Sequence, residues 1–406
     1  MRVTWEIPSR YEQRPFRRVF QRLSRPVPSG AGIVTAYTDG QVTLRTNRAK
    51  ERYHEAADLS TFQGVRPGDF VVHGLDIMRG SIGVADSSGA MSPVCIVASA
   101  REGNVPRYMA YQMRLQASTG YPKALARGVR DGGADFRRWD TLAELPLLCP
   151  SLIEQRAIAD YLDRETAKID TLIEKQRTMI QRLRERRVAV QERRVQDSSW
   201  PTPALASTCR LIQTGPFGSQ LGAGDYVDDG VPVLNPQHLA GNVITADRAV
   251  TVTPAIASKL RRHRLMRGDI IAARRGELGR CAEVTEREVG MLCGTGSVLV
   301  RPALERWEPA FLQLAFSSRR TSETLAQASV GSTMPNLNTS MIGRLRLGCP
   351  PLDEQRSIVE QVGRETAKID TLIAKVERHI ELAGERRAAL ITAAVSGQID
   401  VTKDAA

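Results

Sequence analysis

The chain has 406 residues, 42% hydrophobic and 25% charged, the proportions of an ordinary globular protein with room for two or three domains. No apolar run approaches the roughly 20 residues that span a bilayer, and the N-terminal MRVTWEIPSR has no apolar signal-peptide core, so the chain is expected to stay in the cytoplasm. Lys and Arg number 57 against 45 Asp and Glu, a net charge of +12, which points to a polyanionic partner because each neutralised phosphate releases condensed counterions.

Residues 1–148 carry short β-like runs such as DFVVHG at 69–74, punctuated by Gly and Pro. Residues 149–197 read as a long helix opening after Cys149-Pro150. Its Ile158, Leu162, Ile169, Leu172, Gln176, Met179 and Leu183 follow the three- and four-residue steps of a heptad seam. Residues 198–348 return to β-like runs, DIIAA at 269–273 and SVLVRP at 297–302. Residues 349–406 give a second helix with Val362, Ile369, Leu372, Val376, His379, Ala383 and Leu390 in its seam and Gly397 marking its end. Each helix spans about 40 residues, hence about 60 Å. The expectation is that the two stripes cover each other as an antiparallel coiled coil; the alternative is that each packs on its own domain.

The halves repeat each other. RETAKIDTLI occurs at 164–173 and again at 364–373, an offset of 200 residues. Cys149-Pro150 recurs as Cys349-Pro350, and Glu154-Gln155-Arg156 as Glu354-Gln355-Arg356. Weaker echoes join the domains: Arg66-Pro67-Gly68-Asp69 answers Met266-Arg267-Gly268-Asp269, and GSIG at 80–83 answers GELG at 276–279. A duplicated domain-plus-helix unit accounts for this. The helices stayed alike while the domains drifted, so the helices do one job twice and the domains do two versions of a job.

Several chemistries are missing. There is no GxxxxGK[ST] or GxGxxG loop, so a nucleotide-driven motor or a dinucleotide enzyme is not expected. Asn235-Pro236-Gln237-His238 lacks the second proline and the aromatic of an adenine-methyltransferase loop. Asp225, Asp228 and Asp229 have no nearby Glu-x-Lys, so they read as a turn rather than a nuclease site. The six cysteines form no CxxC pair and the five histidines none at ligand spacing, so the thiols are read as reduced and no metal site is expected. No catalytic residue is assigned.

Taken together, PSLIEQRAIADYL (150–162), PPLDEQRSIVEQV (350–362), the paired ETAKIDTLI, TGPFGSQL (214–221), GSTMPNLNTSMIGRLRL (331–347) and AVSGQIDV (394–401) resemble the specificity subunit of type I restriction–modification systems, over essentially the whole chain. The resemblance implies an α+β protein with a pseudo-two-fold internal repeat. Two mixed α/β target-recognition domains, 1–148 and 198–348, are joined by two long helices, 149–197 and 349–406, forming an antiparallel coiled coil. It further implies a chain without catalytic activity that reads a bipartite double-stranded DNA target. Such a chain docks two methyltransferase subunits and can be joined by restriction subunits. S-adenosylmethionine, ATP and Mg are then expected in those partners and none in this chain, which works in the cytoplasm and is nucleoid-associated when bound to DNA. A helix of about 60 Å caps the unread gap at roughly 18 base pairs. The first domain has GGADFRRWD where the second has MPNLN. A stand-alone architectural or regulatory DNA-binding protein, dimerising through its coiled coil, is the alternative.

Base edges in the major groove are read by guanidinium and amide groups. The candidates are Arg79 in the first domain and Ser219, Gln220, Gln237, His238, Arg274 and Arg275 in the second, with Arg137 and Arg138 assigned to backbone phosphate or to the domain–helix junction. His263, among arginines, reads as a surface residue. Ile158, Leu162, Ile169, Leu172 and Leu183, with Val362, Ile369, Leu372, Val376 and Leu390, are assigned to the seam. Arg164, Glu165 and Lys168 with their twins Arg364, Glu365 and Lys368 are assigned to partner docking or cross-helix ion pairs.

Overall fold

A computed structural model describes residues 8–48, 59–120, 129–130, 133–328 and 337–401; the first three residues of MPNLN and the side chain of Ser219 lie outside what is described. The chain folds as two compact units, residues 1–176 with 378–406, and residues 177–377.

In the first unit, β1 (Phe20–Arg22), β2 (Phe70–His73), β3 (Ile82–Val84) and β4 (Cys95–Ala100) form an antiparallel sheet in the order β1-β4-β2-β3. Side chains alternate across a strand, and both faces of FVVH are covered. Phe70 and Val72 enter a core with Phe16, Phe20 and Tyr108 of helix α1 (Pro106–Ser118), while Val71 enters a smaller cluster with Val34, Met91 and Val97. The Phe16 and Phe70 rings flank Phe20, with centroids 4.7 and 4.3 Å from it. A second sheet orders Val42–Leu44, Ile33–Ala36, Gly89–Met91 and Gln63–Val65, its central pair parallel.

The second unit is built the same way. β5 (Cys209–Thr214), β6 (Ile270–Ala273), β7 (Cys281–Glu283) and β8 (Ser297–Pro302) take the order β5-β8-β6-β7, which is the first sheet's order again. Ile270 and Ala272 face a core with Trp307 and Phe311, whereas Ile271 faces Leu234, Leu265 and Leu299. The Gly-Asp echoes have a shared cause. Gly68 and Gly268 turn the chain at φ +88° and +80°, a left-handed conformation that favours glycine. The following carboxylates accept from backbone N–H groups, Asp69 from Arg66 at 2.8 Å and Asp269 from Met266 at 2.7 Å. Each is buried and held by an arginine, Asp69 by Arg25 and Asp269 by Arg301 (two contacts of 2.8 Å). A buried carboxylate without that partner would be costly, so the motif is structural in both units.

Between the domains' sequences run α2 (Leu152–Arg194) and, after the second domain, α4 (Leu352–Val395). Within the first unit Asp170 of α2 meets Arg387 of α4 at 2.9 Å. Within the second, Arg184 meets Glu377, Arg187 meets Asp370 and Arg194 meets Glu365, at 3.4, 2.9 and 3.0 Å. Partner numbers fall as α2 numbers rise, so the pairing is antiparallel. Asp170–Arg387 and Arg187–Asp370 are one contact with the copies exchanged. These pairs are half-exposed and each contributes about 0–1 kcal/mol; they fix register more than they stabilise.

The seam differs from its expectation by one residue in places. Its inward positions are Leu162, Thr166, Ile169, Ile173, Gln176, Ile180 and Leu183, matched in α4 by Val362, Thr366, Ile369, Ile373, Val376, Ile380 and Ala383. Leu172 and Leu372 instead stand 49% and 44% exposed, and Met179 45%. Thr166 and Thr366 occupy inward positions because their hydroxyls donate back to the carbonyls of Leu162 and Val362, at 2.6 and 2.8 Å. Stepping from them by seven reaches Ile173, not Leu172. At their starts both helices pack on domains, as the alternative reading had it. Ile158 and Leu162, with Ala394, Val395 and the half-buried Leu390, enter the first domain's core; Ile358 and Val362, with Val195, enter the second's.

Gln155 and Gln355, from the repeated Glu-Gln-Arg, clasp each domain to its helix. Gln355 accepts from the Glu308 N–H at 2.8 Å, at the N-terminus of α3 (Pro309–Phe316), and donates to the carbonyls of Arg306 and Pro350 at 2.9 and 2.7 Å. Gln155 accepts from the Val105 N–H at 2.8 Å, at the N-terminus of α1, and donates to Gly103 and Pro150 at 3.3 and 2.9 Å. Both are buried. An N-terminal helix N–H lacks an intrahelical acceptor, and a buried amide can supply one.

Candidate nucleic-acid interface

In the second unit four loops interlock at one end of the sheet. A Cβ on Gly215 would lie 1.8 Å from the carbonyl oxygen of Gly294, so GPFGS can pass there only as glycine. Gly294 donates to Leu234 O at 2.8 Å and Gly296 to the Asn235 side chain at 3.3 Å. The Arg274 N–H reaches Gly296 O at 3.0 Å, and Arg280 reaches Pro236 O at 3.1 Å. The loops after β5, before β7 and before β8 are thereby tied to Asn235–His238. Phe217, Gln220, Gln237 and Arg275 are exposed side chains they carry, as is Glu277, which pairs with Arg280.

The neighbours of these residues behave otherwise. Arg274 is 9% exposed, and burial, then the charge of Arg275, lowers its pKa from the ordinary arginine value. Leu337 donates its N–H to Arg274 O at 2.9 Å, which fixes the start of the loop. Arg274 is therefore a packed residue rather than a reader. His238 is likewise turned inward, because the Asn235 N–H donates to its Nδ1 at 3.0 Å and closes the turn. Burial lowers the His238 pKa and keeps the ring neutral. His263, expected at the surface, is buried beside Gln213, and burial followed by Arg262 lowers its pKa too. Phe217, 60% exposed, was missed as a candidate because Gly-Pro beside it reads as an ordinary turn. A large aromatic left in water next to Arg275's loop is the signal that marks it.

In the first unit the loop between β2 and β3 takes the corresponding place. Phe136 donates to Gly74 O at 2.8 Å, the counterpart of Leu337 on Arg274. This puts Arg137 and Arg138 beside the loop that carries Arg79. All three are exposed; Arg137 is held by Asp135 at 2.6 Å, and Arg79 lies 3.8 Å from Asp76. Arg138 stands at the start of the short helix Trp139–Ala143.

On the helices, Glu365 is engaged by Arg194 and so belongs to the helix pair. Glu165 holds Lys168 at 2.8 Å and Arg164 at 3.3 Å on its own helix, and Arg364 pairs with Glu360 at 2.6 Å. Arg164, Lys168, Arg364 and Lys368 are exposed. Among the described residues no group of three His, Cys, Asp or Glu is placed to hold a metal ion, and no helix is long and apolar enough to cross a membrane.

A domain of two small sheets and a helix, made twice and followed each time by a long helix, is an architecture shared with proteins of known structure. A chain of a type I restriction–modification assembly is similar over 97% of this chain and 100% of its own, at 15% identity and a TM-score of 0.76. The HsdS subunit of Thermoanaerobacter tengcongensis is similar over 98% and 99%, at 15% identity and a TM-score of 0.57. The family model of the type I restriction modification DNA specificity domain matches residues 223–381. No curated protein matches the sequence. Residues 223–381 thus match a type I DNA specificity domain, and the chain as a whole has a fold like that of type I specificity subunits, in keeping with the resemblance read from the sequence.

Proposed function

We propose that this chain is the non-catalytic DNA specificity subunit of a type I restriction–modification complex and that its two domains read the two unlike halves of a bipartite target. The observation that carries this is the contrast between the copies. The clasp glutamines, the buried Asp turns and the Asp–Arg helix contacts recur residue for residue, whereas the loops facing outward differ: Phe217, Gln220, Gln237 and Arg275 in one unit, Arg79, Arg137 and Arg138 in the other. Repeated scaffolding with unlike rims suits one mode of binding applied to two base sequences.

In this reading Arg275 presents its guanidinium to a base edge, Arg79 meets the DNA at the rim of the first domain, and Gln220 and Gln237 present amides that pair with adenine. Phe217 meets a thymine methyl or wedges at a base step. Arg137 and Arg138 hold phosphate. The helix pair sets a constant gap, and the exposed Arg164, Lys168, Arg364 and Lys368 meet two methyltransferase subunits. S-adenosylmethionine, ATP and Mg act in the partner subunits, in the cytoplasm on chromosomal DNA. The test is selection from random duplex DNA by this chain co-expressed with its methyltransferase. Two short unlike motifs at one spacing are expected. A single palindrome would show that the halves do not read separate sites and would return the architectural, dimeric reading.

A further inference from the structure

Arg114, in α1, has no counterpart in the second unit, where the equivalent position from the glutamine-capped helix start is Ser317. Its guanidinium lies flat on the backbone of Gly40, where a Cβ would stand 2.3 Å from Nη1 and 2.6 Å from Cζ. Gly80 borders it on another side, its would-be Cβ 3.8 Å from Nε. Both glycines have left-handed φ, +91° and +85°. The slot is therefore shaped in backbone, and GSIG supplies one wall.

The Nε of Arg114 is buried without a hydrogen-bond partner among the described residues. Burial, then the neighbouring Arg387, lowers the guanidinium pKa from its ordinary value. The nearby carboxylates are engaged elsewhere, Asp170 by Arg387 and Asp39 by Arg48. A cleft of about 280 Å³ opens beside it, lined by Thr38, Arg79, Arg114, Ser118, Arg387 and Thr392 among others, with no carboxylate in the lining. Three guanidinium groups and the Thr38 hydroxyl line it; Arg387 is held by Asp170, and the hydroxyls of Tyr111, Ser118 and Thr392 already donate to Asp163, Leu115 O and Ala388 O. A desolvated cation without a partner is costly, and an anion that accepts from several donors at once relieves it.

We propose that this cleft binds a phosphate of the DNA backbone, with Arg114 as the buried donor and Arg79 at the mouth. The inference rests on the specificity-subunit reading and adds to it a fixed anchor for the first domain. A tetrahedral phosphate takes donors from several directions, which suits the Arg79 and Arg114 guanidiniums and the Thr38 hydroxyl, on three segments, better than a planar carboxylate does. Phosphate contact carries no sequence information, so the site positions the domain while its loops read bases.

The test is DNA affinity as a function of salt for the full chain with its methyltransferase, comparing the wild type with Arg114→Gln. Each lost phosphate contact lowers the slope of log K against log salt by about 0.9, and the loss should be uniform over DNA sequences. Ser118→Glu offers Arg114 a carboxylate from the chain itself; it should lower the slope similarly while keeping or raising the melting temperature, and it decides the matter if Arg114→Gln folds poorly. An unchanged slope in both variants overturns the proposal, as does a loss confined to one base position. Unchanged DNA binding with weakened methyltransferase binding would assign the cleft to a partner carboxylate. Stabilisation of the wild type by inorganic phosphate, with an unchanged slope in the variants, would assign it to a free anion. A wild type that selects no DNA would sink the specificity reading itself, a result distinguishable from all of these.

Discussion

Replacing Gln355 by leucine keeps the volume of the side chain and removes its polar atoms. The Glu308 N–H and the carbonyls of Arg306 and Pro350 then lose their partner. Each buried group left unsatisfied costs about 1–3 kcal/mol. Water can reach part of the site once the clasp opens, so the low end applies, and the sum is about 3–5 kcal/mol. The loss should fall on the second unit alone. Hydrogen exchange reads it directly: amides in the first turn of α3 should exchange faster by at least a hundredfold, while those of α1 keep their protection. Gln155→Leu should give the mirror result. In DNA selection, Gln355→Leu should retain the second half-site motif but broaden its spacing from the first. A destabilisation under about 1 kcal/mol, or equal acceleration in both units, would refute the argument that these amides tie each domain to its own helix.

Four further outcomes are expected. Arg275→Ala should cost about 1–3 kcal/mol of binding and relax a single base position in a selected-sequence assay, whereas Arg274→Ala should lower the melting temperature of the free chain. Ile180→Asp, which buries a carboxylate in the seam, should destabilise by about 2–4 kcal/mol; Leu172→Asp, on the exposed face, should stay within about 0.5 kcal/mol in urea unfolding. Phe217→Ala should leave the melting temperature unchanged and weaken DNA binding in a fluorescence titration. The buried His238 and His263 have lowered pKa values, so the unfolded chain binds their protons first. Their stabilisation is complete above about pH 6.5 and declines as the pH falls below it; melting temperature against pH should show this, and His263→Asn should flatten it.

The duplication, the two helices and the β-like runs DFVVH and DIIAA were legible because each leaves an identity, a period or a short apolar run in the sequence. The seam's register was not fully so. Counting apolar residues passes over Thr166, which lies inward, and TLI offers two neighbouring apolar residues of which only a count through Thr166 chooses Ile173. At the candidate site, Arg275 could be placed from its position between a strand and a glycine. The inward turns of Arg274 and His238 depend on backbone bonds from Leu337 and Asn235 that no local pattern announces. Gln155 and Gln355 were visible as repeated letters, but their work as clasps needed the helix starts they cap.

The exchanged pairing of Asp170 with Arg387 and of Arg187 with Asp370 has a genetic consequence. Recombination between the two coding copies of RETAKIDTLI would delete 200 residues and leave a chain of 206. That product would contain the first unit except residues 174–176, which residues 374–376 would replace, with Asp170 and Arg387 now on one uninterrupted helix. Two such chains laid head to tail could restore the contact twice over, each molecule supplying to the other the partner it had lost. On the function proposed above, the gene therefore carries, inside its own repeat, the instruction for a shorter symmetric relative whose preferred DNA would be an inverted repeat of the first half-site.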